Sequence, residues 1–333
     1  MTKAIALLSG GLDSTLAIKA VLEQGIEVEA INFVTPFCTC SPKSATCLIS
    51  KTVADNLGIM LEVKNVSQEY LEIIKYPRFG YGKNMNPCID CRIFMFKKAA
   101  ERMKTSGASF IITGEVLGER PMSQRRDAMN IIERESNLKG LILRPLSAKL
   151  LEPSIPEKEG LVDREKLLDI QGRSRKPQLK LAEEWDITDY ACPAGGCLLT
   201  DKGFARRLKD LMNENINFTL NDIHLLKIGR HLRLSDKVKA VIGRNESENK
   251  KLMTFAEEGD CVIEKNALTG PLTVLKGEIS DEIKLLAGSI TASYGKGNDL
   301  DSIEMSMKKI PGDVKELFLV KPYIQEEITK FFI

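Results

Sequence analysis

The first segment that could do chemistry follows the short apolar run at residues 4–8 and reads Ser9-Gly10-Gly11-Leu12-Asp13-Ser14. A glycine pair between a strand and a helix lets backbone N–H groups turn towards a phosphate, and the helix N-terminus adds partial positive charge. The serine hydroxyls can donate hydrogen bonds, and Asp13 can hold the magnesium ion that accompanies pyrophosphate. The segment therefore predicts a nucleotide phosphate site, with a plain strand–turn–helix joint as the simpler alternative.

The cysteines form the second candidate set. Most of the eight are clustered, and they are Cys38, Cys40, Cys47, Cys88, Cys91, Cys192, Cys197 and Cys261. Thiols in the cytoplasm are kept reduced, so metal ligation or catalysis explains clustered cysteines better than a disulfide framework does.

The pair Cys88 and Cys91 begins a segment with a helical pattern. Asn86 is a favourable N-cap and Pro87 is favoured at the first helical position, which predicts both thiols in the first turn. The helix dipole at that end favours thiolates, the form that ligates metal or attacks sulfur.

Three interpretations of the cysteines stay open on the residues alone. A structural zinc site could use four of them, namely Cys88, Cys91, Cys192 and Cys197. The cysteines could instead pack in the interior as inert side chains, or three of them could hold a [4Fe–4S] cluster with one open iron that binds sulfide. For the first group, Cys38, Cys40 and Cys47, a metal site, a sulfur relay and simple packing stay equally open.

The elements that must position these residues alternate along the chain. Short apolar strands are predicted at 4–8, 27–33, 60–66, 109–113 and 141–143, with helices at 15–23, 48–57, 91–104 and 123–135. Such alternation predicts an α/β fold with a doubly wound parallel sheet that binds ligands at the carboxyl ends of its strands.

The pattern changes after residue 150 and again near residue 223. We predict a catalytic domain at 1–150, a linker with a cysteine and basic segment that completes the active site at 151–222, and a smaller α+β domain at 223–333. The last domain is predicted to contain β runs at 225–228, 238–242, 261–264 and 272–275, and helices at 246–257 and 281–293.

Composition sets outer limits on the function. A hydrophobic fraction of 43% and a charged fraction of 28% in 333 residues are typical of a soluble protein. No apolar run approaches the length of about 18 residues that predicts a membrane span, and the N-terminus is not typical of a signal peptide. We therefore expect a cytoplasmic protein without a membrane partner. The net charge of +2 gives no global argument for nucleic-acid binding, so any RNA contact must use local basic clusters.

The glycine-rich hexapeptide resembles the signature Ser-Gly-Gly-x-Asp-Ser of the PP-loop ATP pyrophosphatases. This resemblance implies a HUP-like fold, cleavage of ATP between its α and β phosphates with Mg²⁺, and transfer of AMP to a substrate oxygen. The cofactor-binding residues that it implies are Ser9, Gly10, Gly11, Asp13, Ser14 and Gly114.

The later motifs resemble those of tRNA thiolases. Asn86-Pro87-Cys88-x-x-Cys91 is similar to the Asn-Pro-Asp-x-x-Cys motif of bacterial tRNA 2-thiouridylases, with cysteine replacing aspartate, and Gly195-Gly196-Cys197 resembles the region of their second essential cysteine. In the iron–sulfur-dependent tRNA thiolases of this superfamily, a Cys-x-x-Cys pair and one later cysteine hold the cluster. The catalytic residues that the resemblance implies are Asp13, Cys88, Cys91 and Cys197, the three cysteines being the metal ligands.

The expected function is that of an ATP-dependent tRNA uridine sulfurtransferase that uses ATP, Mg²⁺ and a [4Fe–4S] cluster. Its expected partners are tRNA and a sulfide or persulfide donor, and a homodimer is possible. Two alternatives stay open: another PP-loop ligase or amidotransferase with a structural Zn²⁺ site, and an RNA-binding module with a degenerate ATP site.

From about Leu225 the chain resembles an NFACT-type RNA-binding domain. The residues that carry the resemblance are Ile242-Gly243-Arg244-Asn245-x-x-x-Asn249 and the stretch from Ala287 to Gly297. Local basic residues are the candidates for RNA contacts in either half of the chain: Arg120, Arg125, Arg126, Arg173, Arg175, Lys176, Arg206, Arg207, Arg230, Arg233, Lys237, Lys239 and Arg244.

Overall fold

The computed structural model describes residues 2–38, 46–190 and 197–333, except for the side chains of 46–48. The predictions for Cys40, Cys192, Gly195, Gly196 and the Cys47 side chain therefore lie outside the described residues. The chain divides into two compact units, Met1–Thr200 and Asp201–Ile333.

A parallel sheet forms the centre of the first unit. Its strands are β1 (Lys3–Leu7), β2 (Glu27–Val34), β3 (Met60–Asn65), β4 (Phe110–Thr113) and β5 (Ile142–Leu143). They run in the order β3-β2-β1-β4-β5, and every pairing is parallel. From β1 the chain adds β2 and β3 on one side and then β4 and β5 on the other. The loops after β1 and β4 therefore leave the sheet in opposite directions. Such a topological switch point is the usual ligand site of these sheets.

Helices cover both faces of this sheet. They are α1 (Leu12–Leu22), α2 (Thr46–Leu57), α3 (Ser67–Lys75), α4 (Cys88–Ser106), α5 (Arg126–Glu135), α6 (Ile155–Lys158) and α7 (Lys176–Glu184). Alternate residues of β1 enter different cores: Ala4 and Ala6 pack on the α1 side, whereas Ile5 and Leu7 pack with residues of α4 and α5. Because successive side chains of a strand point to opposite faces, burial on both sides requires an apolar β1. The prediction of a doubly wound α/β fold is confirmed.

The second unit contains an antiparallel sheet. Its strands are β6 (Arg230–Ser235), β7 (Val238–Ile242), β8 (Cys261–Lys265), β9 (Thr273–Lys276), β10 (Ile303–Lys309) and β11 (Glu316–Val320), in the order β11-β10-β8-β9-β7-β6. The accompanying helices are α8 (Lys202–Glu214), α9 (Leu220–Leu225), α10 (Glu246–Phe255) and α11 (Asp281–Ala292). One apolar core lies between the sheet and α11, and a second between the sheet and α10. The prediction of a separate C-terminal α+β domain is confirmed in its architecture.

One predicted strand of this unit is wrong. Residues 225–228 belong to the end of α9 and to the turn after it, and the strand begins at Arg230. Leu225, Leu226 and Ile228 are buried, so the apolar character of this run reflects core packing and not a strand. Among the helices of the described ranges, none is long and apolar enough to cross a membrane.

Candidate active site

The predicted phosphate loop connects β1 to α1. Gly10 has a φ of 76°, a conformation that favours glycine, and Gly11 is the residue before the helix. The Ser14 hydroxyl donates to the carbonyl of Gly11 at 2.8 Å and lies 3.2 Å from the Ser9 hydroxyl, so both serines face the inside of the loop. No side chain caps the N-terminus of α1, which leaves its first N–H groups directed at the loop.

Gly114, after β4, packs directly against the phosphate loop. A Cβ atom at this position would lie 2.4 Å from the backbone nitrogen of Ser14 and 2.6 Å from the carbonyl oxygen of Asp13. Only glycine allows the two loops at the switch point to approach this closely. This contact supports the prediction that Gly114 belongs to the nucleotide site.

Asp13 lies in the first turn of α1 and is partly buried. Burial raises the pKa of its carboxyl above the usual value, although the positive charges of Arg175 and Arg120 favour the ionised form. Its Oδ1 atom is buried without a hydrogen-bond partner. A buried carboxylate oxygen without a hydrogen-bond partner is a suitable ligand for a divalent cation. Proteins bind magnesium through one or two carboxylates together with phosphate oxygens.

Two further residues near Asp13 were not singled out from the sequence. Gln178 of α7 is fully buried, and its amide favours the ionised form of Asp13, but no hydrogen bond of ordinary geometry joins them, because both amide atoms lack a partner. Glu119 has a raised pKa through burial and through the negative charge of Asp13. Only their spatial proximity to Asp13 reveals them, since neither lies in a recognised motif.

The Cys-x-x-Cys pair begins α4, as predicted, but the cap is shifted by one residue. Pro87 is the N-cap and Cys88 the first helical residue. The Asn86 side chain makes no cap and instead donates from Nδ2 to the sulfur of Cys88 at 3.1 Å. Tyr70 is buried, and the proximity of its hydroxyl favours the ionised form of Cys91.

The expectation that the helix end favours thiolates is not met. Burial raises the pKa of Cys88 and of Cys91, although Arg92 opposes the shift in both. Much of the surface of Cys197 is exposed to solvent. The surroundings of its sulfur are nevertheless buried, and this desolvation raises the pKa of the thiol to about 12. Desolvation therefore outweighs the helix dipole at Cys88 and Cys91. A metal can bind these sulfurs only as thiolates, so metal binding would release their protons.

Two hydrogen bonds to backbone carbonyls connect the segment after Cys197 to the segment before Cys88. The N–H of Met85 donates to the carbonyl of Leu199 at 3.2 Å, and the Asn84 amide donates to the carbonyl of Thr200 at 2.7 Å. The thiol of Cys197 interacts electrostatically with those of Cys91 and Cys88. The three predicted metal-ligand cysteines therefore lie in one neighbourhood, but they are not spaced to hold a metal ion. Cys261 is buried in β8 of the second unit.

The same neighbourhood includes Cys38, which the sequence left unassigned. The carbonyl of Phe37 accepts a hydrogen bond from the N–H of Leu198 at 3.0 Å, and Cys38 interacts electrostatically with Cys91 and Cys197. Within the residues that the structure describes, no group of three His, Cys, Asp or Glu side chains is spaced to hold a metal ion.

A buried ion network joins the cysteine helix to the nucleotide loops. Glu115, which is 1% exposed, pairs with Arg92 of α4 at 2.8 Å and with Arg144 at 3.0 Å. Arg92 also donates to the Thr113 hydroxyl at 2.9 Å. Because Thr113 and Glu115 flank Gly114, the network holds the Cys-x-x-Cys helix beside the residue that packs on the phosphate loop.

The basic residues predicted to contact RNA have different environments. Arg173 and Lys176 are exposed, while Arg175 is partly buried and acts on Asp13. In the second unit, Arg233 and Lys239 both pair with Asp210, and Lys239 is only 4% exposed. The prediction that Lys239 forms part of an RNA-facing surface is therefore wrong, because its side chain is buried and paired with Asp210 within the unit.

Among the basic residues predicted to form one RNA-binding face of the second unit, Arg230, Lys237 and Arg244 stay accessible, and Arg206 of α8 is exposed as well. Lys237 and Arg244 are exposed, although Arg244 pairs with Glu248. The guanidinium of Arg230 stacks over the ring of Tyr294 at 4.6 Å. Tyr294 belongs to the segment that carries the RNA-binding resemblance.

Family models match both ends of the chain. Residues 1–150 match the family described as thiamine biosynthesis protein (ThiI), and residues 229–332 match the NFACT protein RNA binding domain. A tRNA-specific 2-thiouridylase of Coxiella burnetii is 34% identical over 118 residues, which cover 32% of this chain and 32% of that protein. A tRNA-specific 2-thiouridylase of a Marinomonas species is 26% identical over 293 residues, 83% of this chain and 69% of that protein.

Among solved structures, the U34-tRNA thiolase of Methanococcus maripaludis, determined with its [4Fe-4S] cluster, is 17% identical with a TM-score of 0.35. The likeness covers 68% of this chain and 73% of that one. The chain spans about one third of the length of the Coxiella burnetii relative.

A parallel sheet with a glycine loop after β1, an aspartate in the first turn of α1 and a glycine after β4 packed on that loop define a PP-loop nucleotide-binding domain. Residues 1–150 of this domain are similar to the thiamine biosynthesis protein (ThiI) family, and residues 229–332 are similar to the NFACT protein RNA binding domain.

Proposed function

We propose that the protein is an ATP-dependent tRNA uridine sulfurtransferase, which adenylates a uridine carbonyl and replaces its oxygen with sulfur. The observation that carries this proposal is the junction of the phosphate loop with the cysteine pair. Gly114 packs on Asp13, Glu115 and Thr113 hold Arg92, and Arg92 follows Cys91 in α4. The electrostatic influence of Arg120 on both Asp13 and Cys88 supports one continuous site.

The residues of the phosphate loop have distinct roles in this proposal. The N–H groups at the start of α1 and the two serine hydroxyls bind the pyrophosphate portion of ATP. Asp13 would hold the magnesium ion, since its carboxylate has a buried oxygen without a hydrogen-bond partner. Arg175 and Arg120 offset the negative charge that accumulates around Asp13 when ATP binds. Together these groups position the α-phosphate for attack by the uridine oxygen.

The thiols of Cys88, Cys91 and Cys197 would hold a [4Fe–4S] cluster. The chemistry of the three donors fits that group, although their described positions are not spaced to hold a metal ion. Soft thiolate ligands select iron–sulfur clusters, copper(I) and zinc. The Asn86 amide, which donates to the Cys88 sulfur at 3.1 Å, supplies the kind of hydrogen bond that tunes a cluster. When bound, the cluster supplies an iron atom that can present sulfide to the activated uridine. In this proposal the three cysteines would determine where sulfur enters relative to ATP.

The decisive experiment uses the full chain, purified anaerobically and reconstituted with iron and sulfide. We expect about four irons for each chain and, with ATP, sulfide and unmodified tRNA, formation of a thiolated uridine detected by mass spectrometry of nucleosides. Cys88→Ala, Cys91→Ala and Cys197→Ala should each lose the cluster absorbance and the thionucleoside together. Cys261→Ala is the control, because that thiol is buried in the other unit and should change neither readout.

Bound zinc without any thionucleoside would overturn the proposal. It would favour the alternative of a PP-loop ligase or amidotransferase in which the cysteines have a structural role. A protein that binds RNA but neither hydrolyses ATP nor takes up metal would favour the RNA-binding module instead.

Transfer RNA is the proposed substrate, and the exposed basic residues of the first unit provide a test. Changing Arg173 and Lys176 to alanine should weaken tRNA binding and reduce the slope of log affinity against log salt by about one unit for each lost phosphate contact. ATP affinity should be nearly unchanged. Lys158→Ala with Lys166→Ala removes the same charge from other exposed positions and is the matched control. An equal slope for both double variants would assign Arg173 and Lys176 to the ordinary surface.

A further inference from the structure

We propose that Gln178, in the first turn of α7, is a ligand-binding residue of the nucleotide site, where its side-chain amide contacts the phosphates of ATP and the hydration shell of their magnesium ion. This inference deepens the proposed function and rests on the part of it that places ATP at the phosphate loop. It adds a residue that neither the glycine-rich hexapeptide nor the cysteine motifs predict.

The packing of α7 on α1 directs Gln178 towards the phosphate loop. Ala182 of α7 is buried in the same apolar core as residues of α1. Gln178 lies four residues before Ala182, which is one turn earlier on the same face of the helix. That turn lies beside Asp13, because the Gln178 amide and the charge of Arg175, the N-cap of α7, both favour the ionised form of the Asp13 carboxyl. The first turns of α1 and α7 therefore meet at Asp13.

Buried polar atoms without a hydrogen-bond partner are concentrated at this meeting point. Among the described residues ten side-chain atoms are in this condition, and five of them belong to Asp13, Glu119, Arg175 and Gln178. The other five come from five separate residues, one atom from each. Folded proteins pair nearly all of their buried polar atoms, because an unpaired one is unfavourable. So many unpaired atoms in one place indicate that they bind a polar ligand.

Gln178 is the most deeply buried of these four residues. Its side chain is 0% exposed, and both its amide nitrogen and its amide oxygen lack a hydrogen-bond partner in the described part of the chain. An amide is both a donor and an acceptor, unlike a carboxylate or a guanidinium group. The nitrogen can therefore donate to a phosphate oxygen, while the oxygen accepts from a water molecule on magnesium, which keeps several waters in protein sites.

The N-terminus of α7 makes the same place favourable for an anion. No described side chain caps this helix of nine residues, and its first intrahelical hydrogen bond runs from the Leu179 N–H to the Arg175 carbonyl at 2.9 Å. The N–H groups before that bond and the partial positive charge of the helix end attract phosphate. Since α1 also begins here, two helix N-termini and the Arg175 side chain act on one ligand. This potential favours the phosphates of ATP as the partner of Gln178.

The test compares the full-length wild type with Gln178→Met by calorimetric titration with Mg²⁺ and the non-hydrolysable analogue α,β-methylene-ATP. Methionine is similar in size to glutamine but has no amide, so binding of the analogue should weaken by about tenfold or more. Without nucleotide, the variant should unfold at a temperature about 2 °C or more above that of the wild type, because an unpaired buried group has been removed. A residue that serves only the fold would give a lower unfolding temperature and an unchanged affinity.

Gln24→Met is the matched control, because the amide of Gln24 has partners. Its nitrogen donates to the Ala20 carbonyl at 3.4 Å, and its oxygen accepts from the N–H of Asp163 at 2.8 Å. Gln24 follows the end of α1 that lies away from the phosphate loop. This replacement should lower the unfolding temperature and leave the affinity for the analogue unchanged.

Hydrogen exchange of the wild type keeps the inference testable if Gln178→Met folds poorly. We expect Mg²⁺ and the analogue to protect peptides that cover the start of α7 as well as those that cover the phosphate loop. Protection of the phosphate loop alone, or an unchanged affinity of Gln178→Met, would overturn the inference and leave the proposed function intact. Protection of both segments in a protein that forms no thionucleoside would support the inference and overturn the proposed function.

Discussion

Replacing Glu115 with glutamine should lower the free energy of unfolding of the first unit by about 3 kcal/mol, because it leaves a buried arginine with too little compensating charge. Glu115 is 1% exposed and accepts from Arg92 and Arg144, and Arg144 is itself 4% exposed. Burial alone would raise the pKa of Glu115, but the two guanidinium groups bring it below its ordinary value. Glu133 still pairs with Arg144 in the variant, which limits the loss.

Hydrogen exchange of peptides from β4 and β5, followed by mass spectrometry, measures this change within the first unit. Glu69→Gln is the matched control, since Glu69 pairs with Lys98 at the surface and its loss should cost less than about 1 kcal/mol. Equal protection in both variants would show that the buried network contributes no more than a surface pair.

The same prediction has a pH dependence with a definite sign. Because the folded-state pKa of Glu115 is lowered from the ordinary value of 4.5, its stabilisation is fully present above about that pH. It is lost as the pH falls through the lowered folded-state pKa. The difference in stability between wild type and Glu115→Gln should therefore be constant near neutral pH and shrink in acid.

Much of the first unit was predictable because its signals are local. The strands of the parallel sheet are short apolar runs bounded by turns, and their predicted positions differ from the observed ones by about one residue. The phosphate loop is a continuous segment whose glycines and helix start can be recognised without any distant contact. In the second unit the residues of β6, β10 and β11 carry a weaker signal, since several of their positions are polar or exposed.

The parts that escaped prediction depend on contacts between distant segments. Cys38 reaches the other cysteines through a hydrogen bond between Phe37 and Leu198, and no spacing rule connects those positions. Glu115 and Gln178 acquire their importance from burial, which a single sequence does not report. The prediction that the helix dipole favours thiolates at Cys88 and Cys91 fails for the same reason. The dipole effect is local, but the desolvation that raises the pKa of both thiols comes from the surrounding fold.

Asp13→Asn should reduce tRNA-dependent pyrophosphate release by about 100-fold or more, since charge stabilisation by a bound metal ion contributes several kcal/mol to such reactions. The carboxylate oxygen that lacks a partner is the proposed magnesium ligand, and an amide binds magnesium far more weakly. Burial raises the pKa of Asp13, so the ionised group costs stability near neutral pH when no cation is present. Removing its charge should therefore not unfold the protein.

Two comparisons make the loss specific to the metal. Asp127→Asn removes an exposed aspartate from the first turn of α5 and should leave pyrophosphate release unchanged. Gly114→Ala should also abolish release, but by displacing the phosphate loop, because its Cβ would lie 2.4 Å from the Ser14 nitrogen. Titration with Mg²⁺ separates the two defects: for Asp13→Asn a large excess should restore part of the rate, whereas Gly114→Ala should not respond, since ATP itself no longer binds. Wild-type release by Asp13→Asn at low Mg²⁺ would show that another residue holds the cation.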